Sequence, residues 1–133
     1  MTREWEEAVR SGSIDELQRL LTGGADIDAR DGHGQTALML AAAEGNGPVV
    51  AWLVERGAAL DHTAKYGLSA LMLAVVRGHV DIARRLTDAG ASIDLRGTGA
   101  PGFAGKTALD LAIALDGPEM VELLRSTAER RRT

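Results

Sequence analysis

Cysteine is absent from the chain. Without thiols the fold cannot depend on disulfide bridges, and thiolate metal ligands and a thiol nucleophile are both excluded. A reducing compartment is therefore compatible with the sequence.

Long hydrophobic runs are missing as well. The run from Ala70 to Val76 has seven residues and none is longer, whereas a transmembrane helix needs about 20. The start of the chain, from Met1 to Glu7, is too rich in charge for a secretory signal. The net charge of −4 argues against nucleic-acid binding, which needs a concentrated positive field. We therefore expect a cytoplasmic protein that binds neither membranes nor nucleic acids.

What the chain does contain is a regular spacing of glycine. Gly-Ala pairs begin at residues 24, 57 and 90, each 33 residues after the last. A second glycine series, Gly12, Gly45 and Gly78, keeps the same interval. Two interleaved series with one period indicate a tandem array of a single structural unit.

Each unit has the pattern of two helices joined by a turn. Thr36, Ser69 and Thr107 each precede a run of strong helix formers, where a hydroxyl side chain can cap the first turn. Gly45 and Gly78 follow the first two runs and are suited to end a helix. A second apolar run comes next in both units, and polar stretches then lead to the following cap. The sequence therefore predicts an all-α array of helix-turn-helix units.

At these positions the chain resembles the ankyrin repeat family, from about Trp5 to Leu124. Gly78-His79 matches the family's Gly-His turn, and the stretch from Leu20 to Ala25 matches its Leu-Leu-x-x-Gly-Ala ending. The resemblance implies a solenoid of stacked helix pairs with protruding loops or short hairpins.

Two departures from the family pattern concern the helix starts. The family's proline is alanine at positions 37, 70 and 108, and its histidine is replaced by Met39, Met72 and Asp110. Because the family uses that histidine to tie neighbouring loops together, we expect a normal fold with weaker coupling between units.

The chain is predicted to form one domain of four units. Their approximate ranges are residues 3–30, 31–63, 64–96 and 97–127, followed by a basic tail over 128–133. The terminal units carry polar ends, which solenoids need because no neighbour covers their outer faces. We expect a complete, monomeric array that buries roughly two-thirds of the surface exposed by the unfolded chain.

One segment departs from the period. The third helix start lies 38 residues after the second, which places five additional residues between Gly97 and Gly105. Within it, the stretch from Ala100 to Thr107 resembles a phosphate-binding loop, in which Lys106 would contact the phosphates and Thr107 a magnesium ion. Such a loop should follow a buried parallel strand, and the residues before it are too few and too polar for one. We favour a lengthened loop, with Phe103 either folded back on the last unit or offered to a partner.

Other candidates for chemistry are few. The three histidines have no second histidine or carboxylate at ligand spacing, and His79 is typical of the family's turn. Trp5 and Trp52 are expected in the core. Three aspartates recur at the repeat interval and are interpreted as structural loop residues: Asp28, Asp61 and Asp94. We therefore predict no catalytic residue, no metal and no cofactor.

The remaining candidate is a surface. Stacked ankyrin units form a concave face from loop tips and the exposed side of each first helix, and in the family this face usually binds another protein. Carried over unit by unit, the predicted partner-binding positions are Arg30, His33, Gln35, Ala43, Glu44, Lys65, Tyr66, Leu68, Val76, Arg77, Arg96, Phe103 and Lys106.

Within this set, Tyr66, Leu68 and Val76 are apolar where the fold demands no apolar group, and basic residues flank them. This composition is typical of an interaction hot spot with a basic rim. The alternative is that Tyr66 and Leu68 pack on neighbouring loop tips. The sequence thus predicts a noncatalytic module that binds a protein partner with an acidic and apolar surface. A small inhibitor or immunity protein that neutralises an enzyme would need only the same kind of surface.

Overall fold

The computed structural model describes residues 1–99 and 101–132, and these ranges contain eight α-helices and no β-strand. A short 3-10 turn covers Lys65–Gly67. The helices, in chain order, are α1 (Arg3–Ser11), α2 (Ile14–Thr22), α3 (Ala37–Glu44), α4 (Gly47–Glu55), α5 (Ala70–Arg77), α6 (Val80–Asp88), α7 (Ala108–Ala114) and α8 (Pro118–Arg132). The predicted all-α solenoid is confirmed.

The hydroxyl caps and the two helix-ending glycines lie where the sequence pattern places them. Thr36 accepts a hydrogen bond from the amide of Met39 at 3.3 Å, and Ser69 and Thr107 each cap the amide three residues later at 3.2 Å. Gly45 and Gly78 end α3 and α5 in the left-handed region, with φ of 79° and 76°. A side chain with a Cβ is strained there, which explains why glycine recurs at this place.

The first helices of the units form one layer and the second helices form the other. α3 packs on α1 and α5, and α5 packs on α7; among the second helices, α6 packs on α4 and α8. Trp5 and Trp52 lie in the core as expected, with ring centroids 6.4 Å apart. One fully buried leucine from each second helix lies between the layers: Leu17, Leu53, Leu86 and Leu124.

Two of the three periodic aspartates tie their loop to the next one. The Asp28 carboxylate accepts a hydrogen bond from the amide of Ala59 at 2.8 Å, and Asp61 repeats this contact with the amide of Ser92 at 2.8 Å. The structural interpretation of these two aspartates is confirmed. Loop-to-loop contacts therefore exist in a chain that lacks the family's histidine at the helix starts.

The expected basic tail is the end of a helix. α8 has 15 residues, whereas α6 has 9. The difference arises because Gly90 follows α6, while the equivalent position in the last unit is Ala128, which does not end a helix. Arg131 donates to the carbonyls of Ala91 at 2.8 Å and Thr87 at 2.9 Å. The guanidinium thereby satisfies carbonyls at the end of α6 and anchors the extended helix on the third unit.

Candidate protein-interaction surface

A stacked aromatic pair lies at the loop tips of the third and fourth units. The rings of Tyr66 and Phe103 have centroids 5.8 Å apart and an interplanar angle of 29°. The Lys65 ammonium lies 5.0 Å from the centre of the Tyr66 ring, within the range of a cation–π contact. The amide of Thr98 donates to the Tyr66 carbonyl at 2.7 Å, which fixes the two loops against each other. Phe103 therefore folds back, and it does so onto Tyr66.

Tyr66 holds this place in an unfavourable backbone conformation. Its φ of 66° lies in the left-handed region, and the following Gly67 is also left-handed at 70°. Two consecutive positive φ angles define a tight turn in which asparagine and glycine are preferred. A tyrosine there costs about 1–3 kcal/mol, yet its side chain remains 37 % exposed. The turn thus places an aromatic ring at the surface, and contacts elsewhere offset its cost.

The inserted segment closes on itself beside this pair. The amide of Gly97 donates to the carbonyl of Lys106, and the amide of Gly105 donates back to the carbonyl of Gly97, both at 2.9 Å. The Arg96 guanidinium donates to the Gly105 carbonyl at 2.7 Å. Arg96 and Lys106 are both exposed next to the rings. We call Lys65, Tyr66, Arg96, Phe103 and Lys106 the loop-tip patch.

The cations of the loop-tip patch form no ion pair with any described residue. Within residues 1–99 and 101–129, every ion pair lies between residues 3 and 56. Residues 64–106 carry six basic and three acidic side chains, so this part of the chain is positive although the whole is negative. The acidic group facing the patch is Asp110. A hydrogen bond from the Thr107 amide lowers the pKa of Asp110, and Lys106 and Arg96 act in the same direction.

Leu68 is not part of this surface. The sequence predicted it as a partner contact, but only 8 % of it is exposed, because its side chain turns down into the core below the tight turn. Its carbonyl accepts from the amide of Ala64 at 3.0 Å. The equivalent bond in the preceding loop runs from the amide of Asp31 to the carbonyl of Gln35 at 2.9 Å. The connections are therefore turns rather than stranded hairpins.

Arg30 is engaged within the protein. Its guanidinium donates to the carbonyls of Gly34 at 2.9 Å and Thr63 at 2.8 Å, and it lies 2.6 Å from Nδ1 of His62. Guanidinium has no acceptor, so Nδ1 must be the accepting, unprotonated nitrogen. This predicted contact residue is a clamp between two neighbouring loops.

The other predicted positions lie apart from the loop-tip patch. Glu44 is paired with Arg10 at 3.1 Å, and His33 is exposed in the first loop near half-buried Gln35. Val76 and Arg77 lie at the opposite end of α5, about 12 Å along the helix axis from its start. Beside them is a groove that the sequence reasoning missed. Its sequence signal is Gly117, which stands where the third unit has His79.

The geometry removes the basis for the phosphate-loop alternative. In the part of Ala100 to Thr107 that the structure describes, which excludes Ala100, the amides of Gly105 and Lys106 donate within the loop. The Thr107 hydroxyl is occupied as the cap of α7. No strand precedes the loop in residues 1–99. Two backbone donors next to the helix start, where a phosphate would be held, are therefore already used.

Within residues 1–99 and 101–132, no cluster of three or more histidine, aspartate or glutamate side chains is arranged to hold a metal ion. None of the helices described is both long and apolar enough to span a membrane.

The chain shares short stretches of sequence with ankyrin-containing and disaggregase proteins. The chain is 44 % identical over 46 residues to the G patch domain and ankyrin repeat-containing protein 1 homolog of Drosophila melanogaster, a match over 35 % of this chain and 14 % of that protein. It is 48 % identical over 48 residues to the mitochondrial disaggregase of Bos taurus and 46 % identical over 48 residues to that of Homo sapiens. Each of those two matches covers 36 % of this chain and 7 % of the relative. The chain thus spans a small part of each relative's length.

A family-wide comparison covers much more of the chain. The profile described as ankyrin repeats (3 copies) matches residues 5–97. This range includes the caps, turns and periodic aspartates of the first three units. The chain belongs to the ankyrin repeat family.

Proposed function

We propose that the chain binds a protein partner through its concave face and loop tips, with the loop-tip patch as the centre of contact, and that it catalyses no reaction on the partner. Ankyrin repeats are generally protein–protein interaction modules. The observation that carries the proposal for this chain is the stacked Tyr66–Phe103 pair, in which Tyr66 is exposed and Phe103 is half-buried. It is bordered by cations that have no ion pair among the described residues.

The chemistry of the loop-tip patch favours one class of partner surface. Aromatic rings at the centre supply contact area at low entropic cost, and tyrosine is enriched among residues that dominate binding energies. Surrounding cations attract carboxylates and speed association. The best partner segment therefore places an aromatic or aliphatic side chain on the rings and acidic side chains near Lys65, Arg96 and Lys106.

The test begins with the partner itself. The immobilised chain captures binding proteins from a lysate of its source, and a purified candidate is then titrated by calorimetry. Tyr66→Ala should weaken binding at least about tenfold, the effect of losing a hot-spot side chain. Tyr66→Phe keeps the ring and should bind nearly as well as the wild type.

A second comparison isolates the charges. Lys65→Ala combined with Lys106→Ala should slow association, and the difference should shrink as salt screens the field. The matched control removes Arg84 and Arg85, two exposed cations on α6 in the other helix layer, and should leave the affinity unchanged. If the Tyr66→Ala protein and the control bind equally well, the loop-tip patch is not the contact centre.

A further inference from the structure

The turns between the two helices of each unit share one backbone geometry. The residue before the second helix is Ser13, Asn46, His79 or Gly117 in successive units. Its amide donates to the carbonyl five residues earlier, at 3.2, 3.0, 2.9 and 3.1 Å respectively. The four positions are therefore structurally equivalent, although their side chains differ.

In the first two interfaces between units, this side chain fills the space beside the preceding turn. The Asn46 amide nitrogen lies 2.8 Å from the place that a Cβ on Gly12 would take. The His79 ring lies 2.7 Å from the corresponding place on Gly45, and its Nε2 is 3.2 Å from the carbonyl oxygen of Ala43. Because a carbonyl only accepts, Nε2 is the donor.

The third interface lacks such a side chain because position 117 is glycine. A Cβ on Gly78 would meet no described atom within 4 Å. A groove of about 490 Å³ opens at this place, and Leu115, which is 55 % exposed, forms one wall. Its apolar lining consists of Val75, Val76, Val80, Ala112, Leu115 and Met120.

We propose that this groove receives a planar side chain with a ring N–H, from histidine or tryptophan, that belongs to the protein partner. The inference rests on the proposed function and extends it to a second contact. An imidazole fills the equivalent place in the preceding interface, where it donates to the Ala43 carbonyl. Val76 is the equivalent of Ala43 one repeat later, and its carbonyl has no side-chain donor among the described residues.

Position and charge connect the groove to the concave face. Val76 and Arg77, which line it, are also the predicted contact positions at this end of α5. Its volume lies within the range of about 300–1,000 Å³ typical of binding pockets. One cation and one anion, Arg77 and Glu119, also line the groove, and neither forms an ion pair with a described residue. A partner segment with an aromatic ring beside a carboxylate fits when the carboxylate lies at Arg77 and away from Glu119.

A ligand titration tests the groove without the partner. N-acetyl-tryptophanamide is added to protein with labelled methyl groups, and methyl NMR shifts are followed to about 10 mM, where millimolar affinities are visible. Shifts are expected at Leu115, Val76 and Met120, and N-acetyl-leucinamide should produce much smaller ones. Absence of saturable shifts in this region overturns the proposal.

Filling the groove from within supplies the decisive variant. In Gly117→His the new Cβ would lie 3.6 Å from the Cβ of Met120, an ordinary contact, and the backbone there is not left-handed. The variant should weaken the probe at least about tenfold. Gly32→His is the matched control, since a Cβ there meets nothing within 4 Å in an exposed loop. Equal binding by wild type and Gly117→His contradicts the proposal.

Two further measurements cover a Gly117→His variant that does not fold and extend the test to the partner. If Gly117→His does not fold, Leu115→Glu places a charge on the exposed wall and should have the same effect on the probe. Once a partner is purified, Gly117→His should weaken that complex at least about tenfold as well. Probe binding without any effect on the partner overturns the assignment to the partner interface. The proposed function itself depends on Tyr66 and can stand or fall separately.

Discussion

Replacement of Arg30 by alanine tests whether the loops are coupled by the clamp that the structure shows. The guanidinium joins the loop after the first unit to the loop after the second through three acceptors, at 2.9 Å, 2.8 Å and 2.6 Å. Because two of the acceptors belong to the neighbouring loop, the loss acts on the interface between units. In a repeat protein such nearest-neighbour terms contribute directly to the stability of the whole array.

The magnitude follows from the number of bonds and their exposure. A hydrogen bond from a charged donor contributes about 1.5–3 kcal/mol when protected, and less at an exposed site such as this one. Ordering an arginine side chain costs up to about 2 kcal/mol. When this entropic cost is subtracted from the contribution of the three exposed hydrogen bonds, the free energy of unfolding should fall by about 1–2 kcal/mol.

Thermal and urea unfolding, followed by circular dichroism, measure this loss. Each kcal/mol should lower the Tm by roughly 3–4 °C for a chain of this size. Arg30→Lys keeps the charge but not the planar fork, so it should recover less than half of the difference. Arg3→Ala is the control, because the Arg3 side chain is 91 % exposed and pairs only with Glu7 on its own helix. An Arg30→Ala protein as stable as the Arg3→Ala protein would refute the clamp.

Three other changes have defined outcomes. Gly67→Ala should lower the free energy of unfolding in urea by about 1–3 kcal/mol, because φ is 70° and the new Cβ would lie 3.1 Å from the Arg96 carbonyl oxygen. An unaltered urea midpoint would contradict this. Asp61→Ala removes the carboxylate that accepts from the Ser92 amide, and it should lower the free energy of unfolding by about 1 kcal/mol. Hydrogen exchange at the Ser92 amide should become faster, and unchanged exchange would disprove this hydrogen bond. The folded-state pKa of Asp110 is lowered, so its stabilising effect is present above the unfolded value of about 3.9 and is lost as the pH falls through the folded value. The Tm difference between wild type and Asp110→Asn should therefore be constant near neutrality and should disappear below about pH 4. A Tm difference that grows in acid would contradict this prediction.

The fold could be predicted because its signals are local and repeated. A hydroxyl cap before each first helix and a left-handed glycine after it are requirements of the backbone, and they recur at Thr36, Ser69, Gly45 and Gly78. The end of α8 was missed although a signal existed. Ala128 stands where the period would place glycine, and nothing else in that stretch stops a helix.

The surface was harder to predict because it depends on side-chain direction. Tyr66 and Leu68 are two residues apart and similar in apolar character, yet the tight turn holds one at the surface and buries the other. The role of Arg30 depends on a loop 33 residues away, and only the assembled stack brings His62 and Thr63 to its guanidinium. Contacts of this kind are set by tertiary distance and leave no local pattern in the sequence.

Hydrogen–deuterium exchange of the chain with its purified partner locates the binding surface. We predict slower exchange in the complex at residues 65–67, at the described amides of 96–106 and at the end of α5, with little change along α4 and α6. Protection centred on those two outer helices, with the loop tips unaffected, would contradict the assignment of the binding surface.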